Sequence, residues 1–155
     1  MIKILVMDVD GTLTDGKINI SEKGELFKSF NVKDGYGIAN LLPKMNILPV
    51  IITGRNSEIV KERCKDLNIE LLYQGINDKI FQLKEVLYKL NLTADQVAYI
   101  GDDLNDLDCL EYVGISACPS DAVSLVKERV NYICKNKGGN GAVREFIDWL
   151  AMENK

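Results

Sequence analysis

Three short polar clusters carry the residue types that chemistry needs: Asp8-Val9-Asp10-Gly11-Thr12, Thr53-Gly54-Arg55 and Gly101-Asp102-Asp103-Leu104-Asn105-Asp106, with Lys79 close behind Gln74-Gly75-Ile76-Asn77-Asp78. The chain contains no histidine. That excludes Ser-His-Asp and Cys-His hydrolysis, His-ligated zinc and imidazole acid–base work. Catalysis must then run on carboxylates, lysine, hydroxyls or a metal held by oxygen. Aspartates at close quarters raise one another's pKa and resist ionisation unless a cation shares the site. Oxygen donors select a hard ion, and a few carboxylates with room for water suit Mg²⁺ better than Ca²⁺. Beside such an ion Asp8 is a nucleophile toward phosphorus that needs no activating base, since a carboxyl of pKa about 3.9 is ionised at neutral pH. Asp10 would protonate the departing alkoxide and then take a proton from the attacking water. Thr53 offers its hydroxyl and the N–H groups that follow it to phosphoryl oxygens, and Lys79 a fixed cation. Turn formation and helix capping would explain one of these clusters, but not three.

The clusters meet only if the elements bring them together. The apolar run at residues 4–7 ends abruptly at Asp8, as a strand buried on both faces would. Similar runs recur at 48–52, 70–73, 97–100, 114–117 and 131–134, separated mostly by helical patterns at 37–45, 57–67, 79–90, 105–112, 122–129 and 142–152. Such alternation predicts an α/β fold with a doubly wound, mainly parallel sheet. Ligands bind such sheets beyond the carboxyl ends of the strands, where strand order reverses, and all three clusters follow predicted strands. Period-two segments at 17–21 and 26–32 flank Glu22-Lys23-Gly24-Glu25 and predict a β-hairpin flap over about 16–32. The chain is therefore expected to be one domain over residues 1–155, with that flap and a glycine-rich, mobile C-terminal tail at about 137–155.

The 155 residues are 46% apolar and 27% charged, as in an ordinary globular domain. A net charge of −4 leaves little attraction to a nucleic-acid backbone. Cys64, Cys109, Cys118 and Cys134 form no C-x-x-C pair and fall in or beside apolar stretches, which predicts buried free thiols in a reducing compartment. Residues 1–6 hold one lysine and a short apolar run, too little for a signal peptide or a membrane span. A cytoplasmic protein with no membrane partner is expected.

Residues 8–16, Thr53, Lys79 and 101–106 resemble, in order, the four motifs of the haloacid-dehalogenase-like phosphatases. Phe30-Asn31-Val32-Lys33-Asp34-Gly35-Tyr36-Gly37-Ile38, Thr53-Gly54-Arg55, Glu62-Arg63-Cys64 and residues 138–145 are similar to a cap-less group within that family that dephosphorylates eight- or nine-carbon sugar acids. The resemblance implies a Rossmann-like fold without a cap domain, a Mg²⁺ cofactor, and a homotetramer whose active sites are completed by neighbouring subunits. It also implies 3-deoxy-D-manno-octulosonate 8-phosphate, a precursor in lipopolysaccharide biosynthesis, as substrate. Arg55 favours that acid over a nine-carbon sialic-type 9-phosphate, because relatives acting on the latter carry glutamate there and a guanidinium grips a carboxylate with two prongs. Carried over position by position, Asp8 and Asp102 bind Mg²⁺ by side chain and Asp10 by its carbonyl. Asp10, Asn31, Val32, Lys33, Asp34, Gly35, Gly54, Arg55, Arg63, Lys79 and Asp103 line the substrate site. Ala39 departs from the pattern, which often has arginine there. Two other classes share some of these features. A signalling receiver would carry its reactive aspartate mid-chain, and a non-catalytic oligomerisation scaffold has no need of the acidic set.

Overall fold

In the computed structural model, which describes residues 1–153, the run Ile4–Met7 forms β1 and is buried at every position. A strand with no polar side must be covered on both faces. It lies inside a six-stranded sheet of order β5-β4-β1-β6-β7-β8, where β4 is Leu48–Ile52, β5 Leu71–Tyr73, β6 Val97–Ile100, β7 Ile115–Cys118 and β8 Tyr132–Ile133. All its pairings are parallel. Leu5 and Met7 enter one core with Val60, Cys64, Val143, Phe146 and Ile147, whereas Ile4 and Val6 enter another with Leu83, Val86, Leu87, Leu110 and Val126. Helices α3 (Glu58–Asp66) and α7 (Ala142–Glu153) cover the first face. Helices α4 (Lys79–Leu90), α5 (Leu107–Tyr112) and α6 (Ser124–Lys127) cover the second.

Strand order reverses at β1, which has β4 on one side and β6 on the other. A crevice therefore opens at the carboxyl ends of these three strands. Met7 is in register with both Ile51 and Ile100, so the polar segments after the three strands leave the sheet at one level. The cysteines are buried free thiols. Among the described residues, no helix is long and apolar enough to cross a membrane.

Two expectations need correction. The hairpin forms from β2 (Asn19–Ser21) and β3 (Gly24–Phe27), but its second arm stops well short of residue 32. The side chain of Asn31 instead accepts from the N–H groups of Lys33 and Asp34 and starts α1 (Val32–Tyr36), which runs through a π turn at Gly37–Leu41 into α2 (Leu42–Lys44). An asparagine cap satisfies donors that alternation would leave to the strand. Ala39, in the π turn, packs against the core.

The glycine-rich stretch is no mobile tail. The Gly138 N–H donates to Asp121 Oδ1 and the Gly139 N–H to the Thr12 carbonyl. A Cβ on Gly138 would lie 1.9 Å from the carbonyl oxygen of Gly11, so only glycine permits this approach. Helix α7 then buries Ala142, Val143, Phe146, Ile147 and Leu150. Residues 137–153 thus complete this chain's own core, and 154–155 lie outside the described residues.

Asp34 joins α1 to α7 by accepting from the Arg144 N–H at 2.9 Å, and it is 1% exposed. Its Oδ2 has no hydrogen-bond partner among the described residues. Burial pushes its pKa up from 3.8 to about 6, against the pull of the Arg144 and Gly141 amides and the Arg63 and Arg144 charges. A carboxyl whose pKa is raised on folding leaves the protein most stable below its unfolded pKa, and that stability is lost as pH rises to the folded value. Native stability should thus fall between pH 4 and 6 by about 3 kcal/mol relative to Asp34→Asn. Denaturant titrations of both proteins across this range check it, and parallel stability curves would contradict it.

Candidate active site

Asp8, Asp102 and Asp106 each place a carboxylate oxygen within 4.8 Å of the others. Lys79, the first residue of α4, sits against them because the side chain of Asp78 caps the helix by accepting from the Phe81 N–H. Its Nζ lies 2.9 Å from Asp8 Oδ1 and 2.8 Å from Asp106 Oδ1, with the side chain 1% exposed. Asp106 is wholly buried and fully engaged. Its Oδ1 accepts from Lys79 and from the Tyr99 hydroxyl, and its Oδ2 from the N–H groups of Asp102 and Asp103. With both lone pairs of each oxygen taken, Asp106 holds the lysine and the loop rather than offering an atom to an ion. Asp102 Oδ1 accepts from the Thr12 hydroxyl at 3.2 Å. Gly11, at φ +89°, lets the two loops meet, since a Cβ there would fall 2.0 Å from Asp102 Oδ2.

Charge in this cluster does not balance. Burial first, then the charge of Asp106, pushes the Asp8 pKa up to about 6 despite Lys79. Burial, a hydrogen bond with Asp8 and the charges of Asp8 and Asp106 push Asp102 up to about 9. Burial opposes the Lys79 charge, but Asp8 and Asp106 raise its pKa above the usual lysine value. Three carboxylates against one ammonium leave a deficit that a divalent cation would cancel. The available atoms are carboxylate oxygens, which suit a hard ion such as Mg²⁺.

The remaining expected residues divide into two groups. Thr53 is buried at the end of β4, with its N–H spent on the Tyr73 carbonyl, while Gly54 and Arg55 are exposed beyond it. Arg55 lies near Glu25 of the hairpin, whose pKa is lowered against its own burial by Ser57, Lys28 and the Arg55 charge. Asp103 is exposed and accepts from the Leu104 N–H, and Val32 and Lys33 are exposed at the start of α1. Asn31 has its Oδ1 committed to capping.

Of the other residues expected to line the substrate site, Asp34 and Gly35 are buried and Arg63 is half-buried. The guanidinium of Arg63 lies over the Phe30 ring, 5.4 Å from its centroid, and a Cβ on Gly35 would sit 2.4 Å from Arg63 Nη2. With Asn31 and Phe30 these residues border a void of about 10 Å³, room for roughly one water and no more. Helix packing uses up the inward side of α1.

Sequence reasoning missed Lys28, which reaches from the hairpin to Asp10, and Ser57, which ties the hairpin to α3. Lys28 breaks the apolar run Leu26-Phe27, but nothing in the sequence shows where the hairpin folds back.

A parallel sheet whose switch point gathers three aspartates and a buried lysine defines a class, and the chain belongs to the haloacid dehalogenase-like hydrolase family, matching it over residues 56–147. Its nearer resemblances are particular. It is 45% identical over 151 residues to the 3-deoxy-D-manno-octulosonate 8-phosphate phosphatase KdsC of Salmonella typhi, covering 97% of this chain and 80% of that one. The crystal structure of the 3-deoxy-D-manno-octulosonate 8-phosphate phosphatase from Yersinia pestis superposes with a TM-score of 0.95 at 42% identity, covering 99% and 82% of the two chains. That of the Moraxella catarrhalis phosphatase, in complex with a magnesium ion, a phosphate ion and KDO, does so at 0.94 with 38% identity, covering 99% and 87%.

Two outcomes follow from the charge deficit. Saturating Mg²⁺ should stabilise the protein against urea by about 2.7 kcal/mol at a hundredfold excess over its dissociation constant, and Asp102→Asn should lose most of that gain. In chelator, Lys79→Met should destabilise the fold by about 3–5 kcal/mol, because two buried carboxylates lose their counter-ion.

Proposed function

We propose that this chain is a Mg²⁺-dependent phosphomonoesterase that releases phosphate from 3-deoxy-D-manno-octulosonate 8-phosphate. The observation that carries this reading is the Asp8–Lys79–Asp106 cluster beside Asp102 at the switch point, in a chain 45% identical to a phosphatase named for that substrate. Asp8 and Asp102 would hold the ion by side chain and Asp10 by its carbonyl. When bound, the ion draws charge from the phosphoryl oxygens and lets an anionic nucleophile approach them.

The chain's own residues do the rest. Asp8 attacks phosphorus through the oxygen that Lys79 does not hold. The P–O bond to the sugar breaks as the new Asp8–P bond forms, and Asp10 gives its proton to the departing alkoxide. Water then attacks the aspartyl phosphate, its proton passes to Asp10, and Asp8 is regenerated with inorganic phosphate released. The Thr53 hydroxyl and the N–H groups of residues 54 and 55 would steady the phosphoryl oxygens. Arg55, exposed beside the crevice, would take the sugar carboxylate, with Asn31, Val32, Lys33 and Asp103 as further wall.

The working form in this reading is a cytoplasmic homotetramer. Ile18, Ile20, Leu26 and Phe27 are all exposed on a small hairpin, more apolar surface than such a flap leaves open without a partner. Second copies would cover it, and the flap rather than the C-terminal segment would wall a neighbour's crevice.

Phosphate release with Mg²⁺, compared across eight- and nine-carbon sugar acid phosphates and hexose phosphates, should favour the octulosonate. A preference for hexose phosphates would overturn the substrate. Asp8→Asn should fold normally and lose turnover by several powers of ten, because the amide keeps the shape but cannot attack phosphorus. Light scattering should give a tetramer mass at micromolar concentration, and Ile20→Glu combined with Leu26→Glu should shift it toward the monomer.

A further inference from the structure

Lys28 is a flap residue that does not behave like its neighbours. Leu26 and Phe27 are more than half exposed, yet the Lys28 side chain is 4% exposed. Its Nζ lies 2.5 Å from Asp10 Oδ1 and 3.0 Å from Glu25 Oε1. Glu25 is held in turn, its Oε2 accepting from the Ser57 hydroxyl at 2.6 Å. Ser57 caps α3 by accepting from the Val60 N–H, and its own N–H donates to Gln74 Oε1. The ammonium is therefore anchored at one end to the start of a core helix and at the other to the loop that carries Asp8.

We propose that Lys28 is a positioning residue for Asp10, fixing which carboxylate oxygen meets the leaving group. This rests on the reading of Asp10 as general acid and base. A lysine ammonium has three donors and no acceptor, so the Asp10 oxygen facing it can only accept. Oδ1 is committed to Lys28, and Oδ2 is the oxygen left to carry a proton to the alkoxide and to take one from water. Without the ammonium the carboxyl can rotate about its Cβ–Cγ bond and present either oxygen, or neither, along the line of proton transfer. Ordered geometry of this kind is what general acid–base catalysis depends on. Because Lys28 belongs to the flap and Asp10 to the nucleophile loop, the flap is more than a wall: its seating sets the aim of the proton donor.

The test is a leaving-group series that carries no sugar: substituted phenyl phosphates from p-nitrophenyl to unsubstituted phenyl, and an alkyl phosphate. A good leaving group departs without a proton, whereas an alkoxide needs one. With Mg²⁺ saturating, kcat/KM reports the step in which that group leaves. Lys28→Met should lower kcat/KM about 10²-fold for the alkyl phosphate while leaving p-nitrophenyl phosphate nearly unchanged. The fall of log kcat/KM with leaving-group pKa would then be steeper than in the native enzyme. Asp10→Asn should steepen it further, and Lys28→Arg, which keeps donors toward Oδ1, should return it toward the native slope. Should Lys28→Met fail to fold, Lys28→Ala, which also lacks a donor, reads the same slope. A uniform loss across the series with no change of slope would mean that Lys28 only fastens the flap, and would overturn the inference while a steep Asp10→Asn series kept the acid role intact. An unchanged slope in Asp10→Asn would remove that role, and the inference with it.

Discussion

Everything at the crevice depends on keeping like charges together in a place that water hardly reaches. Lys79 makes this possible by meeting Asp8 and Asp106 at once. A buried ion pair is weak evidence of stability, since desolvation offsets much of the attraction. In the proposed reading the arrangement is a device that holds Asp8 under electrostatic tension until a cation and a phosphate arrive. The sheet supplies the rigidity this requires. Asp8 and Gly101 follow strands that are buried at every position, so the strand ends cannot yield to the repulsion between the aspartates.

The sequence carried the core of this arrangement because core and chemistry obey short-range rules. Apolar runs that break off at or just before an aspartate marked β1 and β6, and the register of parallel strands then brought the distant Asp8 and Asp102 together. Less of the flap's surroundings was legible. The alternation up to Val32 is genuine, but it competes with the capping side chain of Asn31, and capping won because it satisfies backbone donors directly. Asp34, Gly35 and Arg63 show the same limit. A motif names the residues, but only packing decides whether they face a ligand or their own helix. The glycine-rich run at 138–141 read as freedom, whereas its glycines serve closeness to the loop below.

The two sides of the crevice differ in kind. Around Asp106 every polar atom is matched and water is excluded, giving a fixed floor. Around Lys28, Glu25 and Ser57 only a few ties hold an otherwise exposed hairpin to the start of a helix. The floor therefore keeps its shape whether or not ligand is bound, while the hairpin side can open at modest cost. A site so divided can admit a bulky ligand and still present a constant arrangement of Asp8, Lys79 and Asp106.

The approach of Gly138 to Gly11 also bears on how the molecule is made. The loop after β1 is made well before the segment that completes its outer side, since Gly138 and Gly139 lie far along the chain from Gly11 and Thr12. The central strand itself waits for β4 and β6, each far along the chain, before it has neighbours. Parallel pairing of this kind is intrinsically slow because distant segments must meet before any contact rewards them. The acidic loop thus stays open until the glycine run behind it has been made and has docked.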